Sequence, residues 1–236
     1  AGDNPFMPAG GGGPVREQIL REFAGLYDEL SDKAGLTIHL FEHSDLMGTP
    51  DACFPNNWFS THAAGEGRDE ATLVTYPMAV PNRRGERRPD ILSRFEGRYP
   101  RHCDLTGHEA GDDARFLEGT GVLVLDRVRG IAYANLSGRC DEALAQHWVD
   151  QLGYRELVAF RAAEEGGAPV YHTNVMMCVG TSVAIVCSES VTDAQERQHL
   201  LAKLSEHHEV VDISRAQMGK FCGNVLEVLD KRGLPG

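Results

Sequence analysis

The stretch "EGTGVLVLDRVRGIAYANL", Glu118–Leu136, decides how this chain is read. Apolar residues crowd both sides of the turn signal around "DRVRG", so the segment reads as two strands joined by a tight turn. "DEALAQHWVDQLG" then has helical spacing and ends at Gly153, and "YRELVAFRA" reads as a third strand. The pattern then begins again. "YHTNVMMCVGTSVAIVCSE" supplies two strands, "TDAQERQHLLAKLSEHH" a helix capped by Thr192 or Asp193, and "EVVDIS" a strand. "FCGNVLEVLDKRGLPG" opens a further copy. Glu118 and His172 stand 54 positions apart, and His172 and Cys222 stand 50 apart. The chain is therefore expected to be an α/β protein built from strand-strand-helix-strand units of about fifty residues.

Toward the N-terminus, "DACFPNNWFSTH" (Asp51–His62) opens an earlier unit, continued by a strand near Leu73–Val80 and a helix near Arg88–Tyr99. The apolar stripe Val15, Ile19, Leu20, Phe23, Leu26, Tyr27 and Leu30 predicts a helix, and "LTIHLFEH" (Leu36–His43) alternates like a strand. These two segments read as the tail of a unit earlier still. The opening "AGDNPFMPAGGGGP" reads as a loop. Units that each carry an uncovered apolar face gain stability by packing around a common axis, and a closed ring with its helices outside is the expected arrangement. In such a ring the polar residues at the start of each unit, Asn56 and Asn57, Glu118, His172 with Asn174, and Cys222 with Asn224, converge on one central cavity.

The chain of 236 residues is 42% hydrophobic and 25% charged, enough apolar residues for a substantial core. Its formal charge of -12 and pI near 5.2 disfavour nucleic acid and anionic membranes as partners and favour a small cationic ligand. No apolar run reaches the roughly 20 residues that span a bilayer, and the first residues lack a secretory signal, so a cytoplasmic location is the expectation. The six cysteines are scattered and read as reduced thiols, Cys178 and Cys187 within apolar runs. His102, Cys103 and His108 match no zinc spacing, and "GTG" lacks the longer glycine spacing of a phosphate loop. The basic run "NRRGERR", Asn82–Arg88, is either a solvated face or a holder of a substrate carboxylate. Asp51 either starts a turn or lines the site.

The segments "DACFPNNWFSTH", "YPMAVPNRRGERRPDI", "FLEGTGVLVLDR", "VYHTNVMMCVG" and "FCGNVLEV" together resemble the arginine deiminase-related, citrulline-utilisation hydrolases of the amidinotransferase (pentein) superfamily. The resemblance runs from about Asp3 to Leu229. It implies one pentein domain over residues 1–236, a five-bladed α/β propeller of ββαβ units, incomplete at both ends for want of the first strand and the final cysteine-bearing strand. It implies hydrolysis of a guanidino or ureido carbon-nitrogen bond in an arginine- or citrulline-like small molecule through a covalent cysteine, with no metal or organic cofactor.

Carried over residue by residue, Glu118 resembles the acidic residue that orients the substrate, and His172 the acid and base. Asn57 stands where deiminases carry a guanidinium-binding aspartate, Asn174 ends the counterpart of their His-x-Asp motif, and Asp51 joins them as a substrate-binding candidate. An asparagine offers an uncharged acceptor and two donors, which accommodates a neutral ureido group as well as a guanidinium. Alternatives within the resemblance are an amidinotransferase and a non-catalytic binding module or truncated relative. Exposed strand edges of an incomplete ring would favour a homo-oligomer.

Overall fold

The computed structural model describes residues 13–54, 57–65 and 67–228. Two units are distinguished: one holds the chain up to Cys53 together with the segment from Glu227, and the other runs from Phe54 to Leu226.

In the first unit, helix α1 spans Gly13–Asp28 and passes into a wider helical turn over Glu29–Lys33, as its apolar stripe predicts. The strand expected over Leu36–His43 does not form: these residues carry no regular structure, and Leu40 is 65% exposed. An alternating pattern specifies a strand only where a neighbour accepts its backbone hydrogen bonds, and among the described residues none pairs with it. The opening loop expected before Gly13 lies outside the described residues.

The second unit repeats one design three times. Its first copy comprises β1 (Phe59–His62), β2 (Thr72–Thr75), the short helices α2 (Pro81–Arg84) and α3 (Pro89–Leu92), and β3 (Arg101–Asp104). The next begins with a helical turn, α4 (Gly119–Val122), and continues with β4 (Leu123–Asp126), β5 (Ile131–Asn135), α5 (Glu142–Leu152) and β6 (Glu156–Phe160). The third has α6 (Thr173–Met176), β7 (Met177–Val179), β8 (Val183–Val186), α7 (Ala194–Ser205) and β9 (Glu209–Asp212), and is followed by α8 (Arg215–Met218). In each copy the first two strands pair antiparallel and the last two pair parallel across the helical connection. The expected unit is thus present as three separate three-stranded sheets. No closed sheet joins them among the described residues, and the further copy expected to open at Phe221 forms no strand through the last described residue, Val228.

Local chemistry sets the element ends. Asp141 caps α5 by accepting the Leu144 N–H at 2.8 Å, and Gly153 ends it with φ 65°, a left-handed conformation that glycine adopts without a Cβ penalty. Asp193, not Thr192, caps α7 through the N–H groups of Gln195 and Glu196. The helix expected over Arg88–Tyr99 shortens to α3 and a 3-10 turn ending at Phe95, and Gly97 takes φ 76° just beyond it.

The middle sheet buries both of its faces. Ala132 and Ala134 of β5 join Val74, Tyr76, Leu117 and Trp148 in one core, while Ile131 and Tyr133 join Phe160, Met176, Val186 and Leu200 in another. Successive strand residues point to opposite faces. The unbroken apolar run of this segment is therefore that of a sheet stacked between two others. A buried polar chain stitches the first copy to the second: Trp148 Nε1 donates to Tyr76 Oη at 2.9 Å, Tyr76 Oη and Ser60 Oγ lie 2.6 Å apart, and Ser60 Oγ and His62 Nε2 lie 2.7 Å apart.

Burial, and then the charges of Arg127 and Arg68, push the His62 pKa from 6.5 down to about 3. The folded protein therefore keeps His62 neutral at pH values where the unfolded chain protonates it. The stability this contributes is complete above about pH 6.5 and is lost as the pH falls toward about 3. At pH 5 the loss amounts to about 2 kcal/mol. Urea unfolding at pH 5 and pH 7.5 checks this, with a flatter pH dependence expected for His62→Gln; an unchanged slope in that variant would remove His62 as the cause.

Candidate active site

The repeat brings Glu118 and His172 together. Each is the residue directly before a four-residue helical turn, Glu118 before α4 and His172 before α6. The strand expected to begin at Glu118 is thus preceded by a turn of helix, so "GTG" leads first into that turn. Thr173 Oγ1 donates to Val122 O at 2.6 Å and accepts from Asn135 N–H at 2.8 Å, and the Asn135 side chain donates to Val170 O and accepts from Ala162 N–H at 2.7 Å. These bonds lock α6 against α4 and β5. As a result His172 Nε2 and Glu118 Oε2 meet at 2.7 Å, both buried.

Three sets of donors surround the Glu118 carboxylate. Besides His172, Arg139 Nη1 donates to both oxygens at 3.0 and 3.3 Å, and Ala79 N–H donates to Oε1 at 2.9 Å. Burial alone would raise the Glu118 pKa, but the His172 hydrogen bond, the Arg139 charge and the Ala79 amide outweigh it, so the carboxyl lies below its ordinary range. Burial lowers the His172 pKa, with Arg139 and Arg83 adding to the effect against the pull of Glu118. Both shifts run toward a carboxylate beside a neutral imidazole. An ionised carboxylate only accepts, so the imidazole proton sits on Nε2 and the other ring nitrogen is left as a base.

Asn57 completes the group. It is one of the few non-glycine residues with positive φ, at 85°, a conformation asparagine tolerates better than most residues. Its side chain is buried and Oδ1 has no hydrogen-bond partner among the described residues. A Cβ on Gly121 would overlap Asn57 Oδ1 and lie 3.1 Å from His172 Cε1, so Gly121 is where the amide and the imidazole approach each other.

Gly121→Ala is expected to cost about 2 kcal/mol in a wild-type background and less than half of that beside Asn57→Gly, where the overlapping amide is gone. Gly119→Ala serves as the control, since φ 40° and the Asn57 backbone oxygen obstruct it whatever side chain stands at 57. Denaturant unfolding of the double-mutant cycle measures the coupling, and equal costs in the two backgrounds would refute the contact.

The other candidates fall differently. Asn174 is the second residue of α6 and is half-buried. Asp51 belongs to the first unit, in the turn where Ala52 N–H donates to Thr49 O at 3.1 Å. Asn56 lies outside the described residues, and Cys222 and Asn224 are exposed. Arg139, the Ala79 amide and Gly121 escaped the sequence reading, because no spacing links them to Glu118 or His172. The arginines of "NRRGERR" are not a solvated face: Arg83 is buried against Glu86 at 2.9 Å, and Arg87 pairs with Glu109 at 2.5 Å. Burial holds the thiols of Cys103, Cys140 and Cys187 above their ordinary pKa, Cys140 at about 12. Among the described residues no cluster of His, Cys, Asp or Glu could hold a metal ion, and no helix is long and apolar enough to cross a membrane.

Solved structures share this fold. The chain is similar to ArgZ, an arginine dihydrolase from the ornithine-ammonia cycle in cyanobacteria, at 18% identity and a TM-score of 0.68; 90% of this chain matches 30% of that one. Against the N-terminal domain of ArgZ, in a cysteine-to-serine variant bound to substrate, the TM-score is 0.67 at 18% identity, covering 92% of this chain and 70% of that domain. AgrE, solved with ornithine and NAD+, is similar at 21% identity in its unliganded form, with a TM-score of 0.66 and coverage of 90% of this chain and 28% of AgrE. The chain thus spans less than a third of the full-length proteins it resembles. No curated protein matches it in sequence. The sequence profile described as N,N dimethylarginine dimethylhydrolase, eukaryotic, matches residues 12–235, nearly the whole chain. The chain belongs to that family, within the pentein superfamily of arginine-metabolising hydrolases and amidinotransferases.

Proposed function

We propose that this protein is a hydrolase that cleaves a guanidino or ureido carbon-nitrogen bond in an arginine- or citrulline-like small molecule, with Glu118 orienting the substrate and His172 as acid and base. The observation that carries the proposal is the buried Glu118–His172 pair at 2.7 Å beside the unpartnered Asn57 Oδ1. An unsatisfied buried carbonyl oxygen costs about 1–3 kcal/mol, and a substrate N–H offsets that cost. The relatives support the substrate class, since ArgZ is an arginine dihydrolase.

In this reading a cysteine thiol gives its proton to the free ring nitrogen of His172 as its sulfur attacks the central carbon of the substrate. The imidazolium, held by Glu118, then passes that proton to the departing nitrogen, and ammonia or an amine leaves. Water adds to the covalent adduct, His172 takes its proton, and the expelled sulfur recovers that proton from His172 to restore the thiol and the neutral imidazole. Cys103, Cys140 and Cys187 are unsuited to the attack, because burial keeps their thiols protonated. Asn57 and Asn174 are the residues assigned to substrate binding. The remaining features of the proposal are one pentein domain over residues 1–236, five ββαβ blades around the site, a cytoplasmic location, a homo-oligomer, no cofactor, and no nucleic-acid or membrane partner. Three repeated sheets, the middle one stacked on both faces, support the blade arrangement.

The test is turnover by the complete gene product of arginine, citrulline and N-methylated arginine, followed by ammonia, amine and ornithine release. Binding of these compounds without turnover would support the non-catalytic reading instead, and an amidino group passed to an added amine would make the protein a transferase.

A further inference from the structure

We infer that Glu109 is a positioning residue for Glu118, acting through the backbone at Met78 and Ala79; the inference rests on the reading of Glu118 and His172 as the reacting pair. Two successive amides face two carboxylates. Met78 N–H donates to Glu109 Oε2 at 2.9 Å, and Ala79 N–H donates to Glu118 Oε1 at 2.9 Å. A tilt of this short segment that loosens one bond loosens the other.

The segment is held from behind by the arginines of "NRRGERR". Arg87 makes a two-pronged pair with Glu109 at 2.7 and 2.5 Å and also donates to Tyr76 O at 3.1 Å. Arg84 donates to Met78 O at 2.9 Å and lies 3.6 Å from Glu109. Bidentate arginine-carboxylate pairs fix direction as well as distance. Glu109, largely buried at the end of the 3-10 turn Thr106–Glu109, is thus the anchor on which both guanidinium groups and the Met78 amide converge. The basic run, which from sequence alone could have been a receptor for a substrate carboxylate, is engaged at Arg84 and Arg87 in holding the backbone that holds Glu118. A glutamine at 109 keeps an acceptor for Met78 N–H but loses the second anionic oxygen, so Arg87 loses its bidentate hold and the segment is freed to tilt.

The experiment compares Glu109→Gln and Arg84→Gln with wild type in the complete gene product, by steady-state kinetics on the guanidino substrate and by the nitrogen NMR signals of the His172 ring across pH. The expected result for Glu109→Gln is a kcat about tenfold lower with KM changed less than about threefold, together with a displaced His172 titration; Arg84→Gln shifts both readouts in the same direction by less. A kcat within twofold of wild type with an unmoved His172 titration would overturn the inference. If wild type itself turns nothing over, the proposed reaction fails, while the NMR comparison still decides whether Glu109 governs the Glu118–His172 pair. Should Glu109→Gln not fold, Arg84→Gln alone carries both readouts, and unmoved values there overturn it.

Discussion

Glu118→Gln is expected to lower turnover of the guanidino substrate by about three orders of magnitude or more while leaving the fold intact. The carboxylate accepts from Ala79, Arg139 and His172 at once, at 2.7 to 3.3 Å. A glutamine amide has one acceptor oxygen and an NH2 that only donates. One face of it must therefore confront a donor, Arg139 or His172, and the site rearranges. The larger loss lies in the charge: the imidazolium that forms when His172 takes a proton is stabilised by the anion beside it, and the amide supplies none. The effect falls mainly on kcat, because in the proposed reaction that imidazolium exists only along the reaction path. The check is kcat and KM for the two proteins, with circular dichroism confirming the fold. A variant retaining more than about a tenth of wild-type kcat would show that Glu118 does not take part in the chemistry.

Trp148→Ala has the largest expected effect on stability, a loss of about 4 kcal/mol. The indole is completely buried on α5, in the core shared with Val74, Leu117 and Ala132, so its removal leaves a cavity between the first two sheets. It also removes the Nε1–H that donates to Tyr76 Oη, weakening the polar chain through Ser60 to His62. Domains of this size are stable by only about 5–15 kcal/mol, so the variant loses a large share of its margin. Trp148→Phe keeps most of the volume and is expected to lose roughly half as much. Urea unfolding followed by far-ultraviolet circular dichroism measures both. A Trp148→Ala cost below about 1.5 kcal/mol would mean that the two sheets do not depend on this side chain for their packing.

Much of the architecture was legible because its causes are local. The second and third repeats could be read strand by strand, since apolar runs, the turn after Asp126 and the caps Gly153 and Asp193 all act within a few residues. The turns α4 and α6 were missed because four residues are too few to show a helical period. Leu36–His43 failed in the opposite sense: its alternation is clear, but a strand exists only with a partner, and pairing is not written in the segment itself. Within the site, Glu118 and His172 were visible as polar residues at matching points of a repeat. Nothing in the chain announced Arg139, 21 positions from Glu118, or the Ala79 amide, which has no side-chain signature.

The sequence by itself determined the repeating unit, the end of α5 at Gly153 and the matching placement of Glu118 and His172, because periodicity and capping are properties of neighbours along the chain. Only the tertiary structure decided that the middle sheet is buried on both faces, that Arg84 and Arg87 hold the backbone at Met78 and Tyr76, and that burial and close partners hold the Glu118 carboxyl and the His172 imidazole both below their ordinary pKa. Those outcomes depend on which distant groups share a desolvated space, and the energy of a buried charge or hydrogen bond is set by its surroundings in three dimensions.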